Sequence, residues 1–159
     1  MGDFSEFYRR YRNALFNYLL RQTGDAPLAM EVAQESFTRC LSRYGPDRSN
    51  RLLLFKIARN ALIDEIRRQK RYTELKEDEQ EIGRNPEKHL QLREEYKRVL
   101  AGMNQLENVE REILAMIVST DLTYREIADI TGLNESNVRV KVHRARLKLK
   151  KFLDQEEDR

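Results

Sequence analysis

The sequence predicts an all-α protein made of two small helical domains joined by a flexible acidic linker, with a helix-turn-helix in the C-terminal domain. Apolar residues recur at helical spacing along most of the chain, and no strand-like alternation is present. Residues 72–90 interrupt this pattern, because they are poor in apolar residues and rich in acids. Residues 123–134 carry the cap and turn residues that join two helices tightly. The predicted domains are therefore residues 1–71 and 91–159.

The charge is distributed unevenly along the chain. The formal net charge of +3 arises from 30 basic and 27 acidic residues. Residues 1–71 hold 14 basic and 8 acidic side chains (+6), residues 72–90 hold 3 and 6 (−3), and residues 91–159 hold 13 and 13 (0). Charge thus divides the chain at the same places as hydrophobicity, which supports two domains and a linker.

Several functional classes are disfavoured by composition. The single Cys40 cannot form an intramolecular disulfide, and its helical spacing predicts a buried position in a cytoplasmic protein. The chain contains no apolar run long enough to insert into a membrane or to act as a signal peptide. The chain has only two histidines, which are separated, and one cysteine, so we do not expect a metal site or a catalytic constellation. We therefore expect neither an enzyme nor a cofactor, and no small-molecule substrate.

The first two helices of the N-terminal domain follow from spacing and caps. Apolar and aromatic residues at helical spacing predict a first helix over residues 3–22, with Thr23, Gly24 and Asp25 closing it and capping the next helix. A second helix follows Pro27 and extends to about residue 44, before a loop at residues 45–50. The polar face of the second helix consists of Glu31, Gln34, Glu35 and Arg39. By itself, this face is typical of a solvated helix surface.

The third helix, over residues 51–71, is amphipathic in an unusual way. One side is apolar, and an adjoining arc of about 140° at 100° per residue is polar and largely basic. The residues on this arc are Arg59, Asn60, Ile63, Asp64, Arg67 and Arg71. Two interpretations remain open: a groove that follows the backbone of a nucleic-acid strand, or a solvated face.

The helix-turn-helix is predicted from cap chemistry. Thr123 and Glu126 have the spacing of a capping box, in which each side chain accepts from an otherwise unpaired backbone N–H. Gly132 stands where a helix ends in a left-handed residue, and Asn134 is suited to cap the helix that follows. Two further helices, around residues 92–103 and 113–118, are expected to supply the supporting core.

The second helix of this motif is strongly basic. Its apolar residues form one narrow stripe of Val138, Val142, Ala145 and Leu149. The rest of the helix surface is not needed for packing. That surface carries seven cations and no acid between residues 136 and 151. The N-terminal part of such a helix enters the major groove, so the candidates to meet base edges or nearby phosphates are Ser136, Asn137, Arg139, Val140, Lys141, His143 and Arg144. The exposed Val140 is either a contact for a thymine methyl group or a solvated valine.

Two stretches together resemble the extracytoplasmic-function group of the sigma-70 family. MEVAQESFTR followed by LLLFKIARNALIDEIRRQKR is similar to conserved region 2 of that group. LENVEREILAMIVSTDLTYREIADITGLNESNVRVKVHRARLKL is similar to its region 4. The order, the spacing and the intervening linker agree, so the resemblance covers nearly the whole chain.

The resemblance implies a bacterial, cytoplasmic subunit that has no catalysis of its own and gives core RNA polymerase its promoter specificity. The implied polymerase-docking residues are Glu31, Gln34, Glu35 and Arg39. The residues implied to hold the melted minus-10 strand of promoter DNA are Arg59, Asn60, Asp64, Arg67, Arg68 and Arg71. The implied readers of the minus-35 duplex are the seven candidates of the helix-turn-helix named above. The resemblance also implies an anti-sigma factor as a partner and an acidic linker threaded along the RNA path of the polymerase.

A different function remains as an alternative. A stand-alone helix-turn-helix regulator binds duplex DNA without polymerase, as a dimer on two half-sites. A helical protein-binding adaptor, in contrast, does not bind DNA, so it shows no DNA affinity and no salt-dependent loss of it. The region 2 resemblance favours the sigma-factor interpretation over both.

Overall fold

The computed structural model describes residues 4–75 and 93–157, and all regular structure in these two ranges is helical. The helices found there are α1 (Phe4–Thr23), α2 (Ala26–Arg48), α3 (Arg51–Leu75), α4 (Glu94–Asn104), α5 (Asn108–Ser119), α6 (Tyr124–Thr131) and α7 (Glu135–Glu157). The predicted all-α class is confirmed. Helices α1–α3 form an N-terminal unit, and α4–α7 form a C-terminal unit. None of the helices in the described ranges has the length and apolar content required to cross a membrane.

The N-terminal unit is built by α2 packing on both α1 and α3. Asp25 caps α2 as predicted, since its carboxylate accepts a hydrogen bond from Leu28 N at 3.1 Å. The rings of Tyr18 and Phe55 meet in the core with their centroids 5.6 Å apart. Cys40 is buried, as its spacing predicted. These contacts bury one face of each helix and leave the polar face of α2 on the surface.

The boundaries of α2 and α3 differ from the sequence prediction. Gly45 breaks the helical conformation with φ 71°, but the helix resumes and continues to Arg48, so residues 46–48 of the predicted loop at residues 45–50 are helical. The left-handed value at Gly45 is one that glycine adopts without a steric cost. Helix α3 extends past residue 71 to Leu75. The remainder of the predicted linker, residues 76–90, lies outside the described residues.

Helical spacing predicts core positions for four apolar or aromatic side chains that lie at the surface. Tyr8 of α1, Leu41 and Tyr44 of α2, and Ile66 of α3 are all exposed. The reason is that a small three-helix unit buries a narrower stripe than the full apolar face of each helix. The prediction that these four side chains belong to the core is therefore wrong.

The C-terminal unit centres on α5, which packs against α7. Ile113 and Met116 of α5 are fully buried. Gly102 lets α4 approach α7 closely, because a Cβ atom at this position would clash with Leu149 Cδ1. The two helices predicted as the support of the helix-turn-helix are therefore confirmed as α4 and α5.

The two units pack against each other, mainly through α1 on α5 and α3 on α6. Arg111 of α5 donates to the Leu106 carbonyl at 3.1 Å in its own unit and to the Gln22 carbonyl at 3.4 Å in the other. Arg21 of α1 donates to Ser119 Oγ at 2.7 Å. The units therefore form a closed arrangement with polar bonds across the contact, which the sequence did not predict.

Candidate nucleic-acid interface

The helix-turn-helix has the cap geometry that the sequence predicted. Thr123 Oγ1 accepts from Glu126 N at 3.1 Å, and the Glu126 carboxylate accepts from Thr123 N at 3.1 Å, which completes the capping box. Gly132 ends α6 in the left-handed conformation with φ 79°. Asn134 Oδ1 accepts from Asn137 N at 2.8 Å and caps α7. These local bonds fix the angle at which α7 leaves the turn.

Helix α7 presents one face to the core and the opposite face to solvent. Val138, Val142 and Ala145 are buried as predicted, and Leu149 is partly buried. The predicted duplex-reading residues Ser136, Asn137, Arg139, Val140, His143 and Arg144 are exposed, and Lys141 is half-buried. The Val140 side chain is 45% exposed, so no core contact explains it. The fold thus brings all seven residues to one accessible part of the helix.

Arg139 is held in place by two neighbours. Its guanidinium donates to Glu135 Oε1 at 2.8 Å and lies over the ring of Tyr124, 5.0 Å from the centroid. Arg139 is therefore a cation of this helix whose charge is compensated by an acid just outside the basic stretch. A guanidinium restrained on both sides loses less freedom when it binds a base edge or a phosphate.

Lys148 has a structural role rather than a free charge. Its ammonium group donates to Glu110 Oε1 at 2.7 Å, and Glu110 is almost completely buried in α5. This hydrogen bond raises the pKa of Lys148. A buried carboxylate needs a charged partner. Lys148 is therefore bound within the C-terminal unit and is not a free cation of the α7 surface.

Among the predicted strand-binding residues of α3, Arg59 is in contact with the C-terminal unit. Its guanidinium donates to the Glu112 carboxylate of α5, and both side chains are largely shielded from water. Burial raises the pKa of Glu112, and the hydrogen bond from Arg59 opposes the rise. Asn60, Arg67 and Arg71 are exposed on α3. The structure therefore separates Arg59 from the accessible members of the predicted set.

Asp64 and Arg68 face α2 rather than the stripe that contains Asn60. Asp64 Oδ2 lies 3.9 Å from Arg39 Nη1, and Arg68 donates to Glu65 Oε1 at 2.7 Å. The hydrogen bond and charge of Glu65, with a smaller effect of Glu31, raise the pKa of Arg68. A groove of about 320 Å³ between the helices is lined by Glu31, Val32, Glu35, Arg39, Ala61, Asp64, Glu65 and Arg68. The α3 side chains Asp64 and Arg68 thus border the predicted polymerase-docking face, whose Glu31, Gln34 and Glu35 are exposed.

Two cations of α3 were missed by the sequence prediction. Arg51 binds Glu126 and Asp121, and Lys56 lies 3.1 Å from Asp129 Oδ2. Lys56 falls on the same arc as Arg59 at 100° per residue, so extending that arc by one turn would have found it. Arg51 lies outside this arc at 100° per residue, so its spacing carries no such signal.

Comparisons with known proteins agree with this geometry. The family models that match are "Sigma-70 region 2" over residues 7–72 and "Sigma-70, region 4" over residues 90–149. The ECF RNA polymerase sigma factor SigM of Bacillus subtilis is 33% identical over 153 residues, covering 91% of both chains. The chain belongs to the extracytoplasmic-function group of sigma-70 RNA polymerase sigma factors. A second relative of this sigma factor, YlaC of Bacillus subtilis, is 31% identical over 164 residues, covering 97% of this chain and 95% of its own.

Solved structures share the fold of this sigma factor. RpoE, from the complex with the anti-sigma factor NepR of Bartonella quintana, aligns with a TM-score of 0.78 and 19% identity, covering 97% of this chain and 98% of its own. CnrH, from the complex with the cytosolic domain of CnrY, aligns with a TM-score of 0.68 and 24% identity, covering 96% of this chain and 88% of its own. The matches extend over both units.

The matched family regions correspond to the two units of the sigma factor. Region 2 spans α1–α3 and region 4 spans α4–α7. A stand-alone regulator would need only the helix-turn-helix part, so the comparisons give that alternative no support. Membership of this family also identifies the protein as a transcription initiation factor.

Proposed function

We propose that this sigma factor reads its promoter at two places, the minus-35 element as duplex through α7 and the minus-10 element as a melted strand through α3. The observation that carries the proposal is the outer face of α7. A complete helix-turn-helix holds this face in solvent, and its polar and basic side chains are opposite a buried stripe. This is the arrangement in which a second helix enters a major groove.

Within α7, the side chains differ in what they can read. Arg139 and Arg144 carry planar donors that pair with the two acceptors of guanine. Val140 offers an apolar contact to a thymine methyl group. Ser136 and Asn137, in the first turn, reach phosphates or base edges beside them. Sequence preference therefore rests on Arg139, Val140, His143 and Arg144.

The minus-10 strand is assigned to the exposed stripe of α3. Arg67 and Arg71 supply charge for the phosphates, and Asn60 supplies an amide that can donate to and accept from a base. Arg59 adds to this stripe when it is not bound to Glu112. Binding of unpaired bases then couples recognition to opening of the duplex, because only the melted form fits the site.

The polymerase-docking site is assigned to the polar face of α2. Glu31, Gln34, Glu35 and Arg39 lie on one surface. Asp64 and Arg68 border the same groove, so we assign them to docking as well as to the edge of the strand site. The mixed charges of this surface favour a partner helix that carries both signs.

An anti-sigma factor is the second protein partner that we propose. RpoE and CnrH, whose folds resemble this one, are each described in a complex, RpoE with the anti-sigma factor NepR and CnrH with the cytosolic domain of CnrY. The sigma factor acts with core polymerase in the bacterial cytoplasm and needs no cofactor for this role.

The experiment that tests the function is a titration of the purified chain onto core RNA polymerase. Promoters are first identified by mapping transcript starts after overexpression, and transcription from them is then reconstituted. We expect a stoichiometric complex and initiation at starts that share a minus-35 and minus-10 pair. A chain that binds the duplex but forms no complex with polymerase contradicts the proposal.

A further inference from the structure

Tyr124 lies at the junction between the two helices of the helix-turn-helix. It is the first residue of α6, directly after the N-cap Thr123, whose capping box with Glu126 fixes the backbone at this point. The Tyr124 ring is partly buried against the hydrophobic core. Backbone and packing therefore both restrain the ring, which makes it a rigid support for a side chain of the neighbouring helix.

The side chain that this ring supports is Arg139 of α7. Arg139 Cζ lies 5.0 Å from the centroid of the Tyr124 ring, while the arginine side chain remains 61% exposed. A cation–π contact engages the charge of the guanidinium and needs no hydrogen-bond acceptor, so it leaves N–H donors for another partner. The ring thus restricts the position of Arg139 without hiding it from DNA.

Glu135 limits the kind of partner that suits Arg139. It lies in the first turn of α7, and its Oε1 accepts from Arg139 Nη2 at 2.8 Å. A carboxylate beside the guanidinium repels an incoming phosphate, because both groups are anionic. A guanine edge carries no net charge and offers two acceptors in the major groove, so the acid penalises it less. The surroundings of Arg139 therefore favour a base edge over the DNA backbone.

We propose that Tyr124 is a positioning residue for promoter reading: its ring holds the Arg139 guanidinium where it can pair with a guanine of the minus-35 duplex. Tyr124 then contributes to base preference through Arg139 rather than through a base contact of its own. Because a restrained side chain loses less conformational freedom on binding, removal of the ring weakens the cognate contact in particular. The inference rests on the proposed function in assigning Arg139 to the duplex.

The test is a double-substitution cycle in the full-length chain, made of Tyr124→Leu, Arg139→Ala and the two combined. Fluorescence anisotropy measures binding to a labelled duplex that carries the mapped minus-35 element and to the same duplex with that element scrambled. The readout is the ratio of the two dissociation constants. A loss of folded protein or of a phosphate contact does not change this ratio, since both duplexes are then affected alike.

Two further variants serve as controls. Tyr124→Phe retains the ring and removes the hydroxyl. Tyr96→Leu is the matched substitution elsewhere in the C-terminal unit, because Tyr96 of α4 also has an arginine over its ring, with Arg21 Cζ 5.4 Å from the centroid. If Tyr124→Leu lowers the thermal unfolding temperature, Tyr124→Met repeats the comparison, since methionine fills an irregular gap without a ring.

Tyr124→Leu is expected to lower the ratio roughly threefold, the effect of losing an exposed cation–π contact. Tyr124→Phe and Tyr96→Leu should keep the wild-type ratio, and Tyr124→Leu should cause no further loss in the Arg139→Ala background. An unchanged ratio in Tyr124→Leu overturns the proposal. An equal loss with and without Arg139 also overturns it, because the tyrosine then acts by another route. A loss of the same size in Tyr124→Phe or in Tyr96→Leu does so as well.

Arg139→Ala by itself separates this inference from the function on which it rests. A ratio that falls in Arg139→Ala but not in Tyr124→Leu removes the positioning role alone and keeps Arg139 as a reader of the duplex. A ratio that stays at the wild-type value in Arg139→Ala removes Arg139 from base reading, and it overturns the inference together with that part of the proposed function.

Discussion

Arg51 and Glu126, 75 residues apart in the chain, form a two-bond ion pair in which Nη2 donates to Oε1 at 2.8 Å and Nε to Oε2 at 3.2 Å. Glu126 Oε1 also accepts from Thr123 N and so completes the capping box of α6. One carboxylate therefore serves both the helix-turn-helix and the contact between the two units. Local helix chemistry in the C-terminal unit is coupled in this way to the start of α3.

The double role of Glu126 predicts unequal effects of removing the two partners. Arg51→Ala should lower the free energy of unfolding by about 0.2–1 kcal/mol, the range of a partly exposed pair. Glu126→Ala should cost about 1–2 kcal/mol more, because α6 also loses a cap. Urea unfolding followed by circular dichroism measures both. Thr123→Ala is the control for the cap, and equal costs for Arg51→Ala and Glu126→Ala would show that Glu126 contributes nothing to it.

Gly132 should be the position of the turn at which substitution lowers stability most. Its φ of 79° is left-handed, so Gly132→Ala is expected to lower the free energy of unfolding by about 1–2 kcal/mol. Gly132→Asn should cost less, because asparagine adopts this conformation more readily. Thermal unfolding of the two variants tests the order. A smaller loss with alanine than with asparagine would contradict the conformational explanation.

The buried Glu112 predicts a characteristic dependence of stability on pH. Its pKa in the folded chain is raised above the ordinary value of 4.5, so the folded chain holds this proton more tightly than the unfolded chain. The contribution of this group therefore favours folding most at low pH and is lost as the pH rises through the raised pKa. Glu112→Gln should gain stability relative to the wild type as the pH increases from 4.5 towards neutrality. Urea midpoints across this range, with Glu95→Gln as the exposed control, measure the difference, and a constant difference would rule the effect out.

Specific and non-specific contacts of α7 should be separable. Arg144→Ala is expected to weaken binding to the cognate minus-35 duplex by about 1–3 kcal/mol and to relax base preference at one position, if the guanidinium pairs with guanine. Lys150→Ala should weaken all duplexes similarly and lower the salt slope by about one. Anisotropy titrations against cognate and scrambled duplexes at several salt concentrations distinguish the two. If the Arg144 variant keeps the base preference of the wild type, Arg144 does not contact a base edge.

Asn60 should matter for opening rather than for duplex binding. Asn60→Ala is expected to leave minus-35 duplex affinity unchanged and to reduce promoter melting by polymerase containing the variant, since the amide is assigned to an unpaired base. Fluorescence of a base analogue placed in the minus-10 element reports melting. The exposed Asn13 supplies the control variant Asn13→Ala. An equal loss in both assays would contradict the division of labour between α3 and α7.

Features that depend on a few neighbouring residues were predictable from the sequence. The capping box of Thr123 and Glu126, the left-handed Gly132 and the cap at Asn134 were all confirmed. The buried stripe of α7 and the burial of Cys40 were confirmed as well. Each follows from helical periodicity or from a hydrogen bond that spans only a few residues. For the same reason, the sequence sufficed to identify the seven residues of the outer face of α7.

The tertiary structure decided which charges are free. Arg59, Lys148 and Arg51 look equally available in the sequence, yet each is bound by an acid on another helix, and the closest of these acids in sequence is 38 residues away. No local pattern encodes such a pairing, because it depends on how whole helices are placed against one another. The sequence by itself therefore determined the helices, the turn and the family. The tertiary packing determined which cations of α3 and α7 are bound by acids, since a cation's availability depends on the carboxylates that surround it in space.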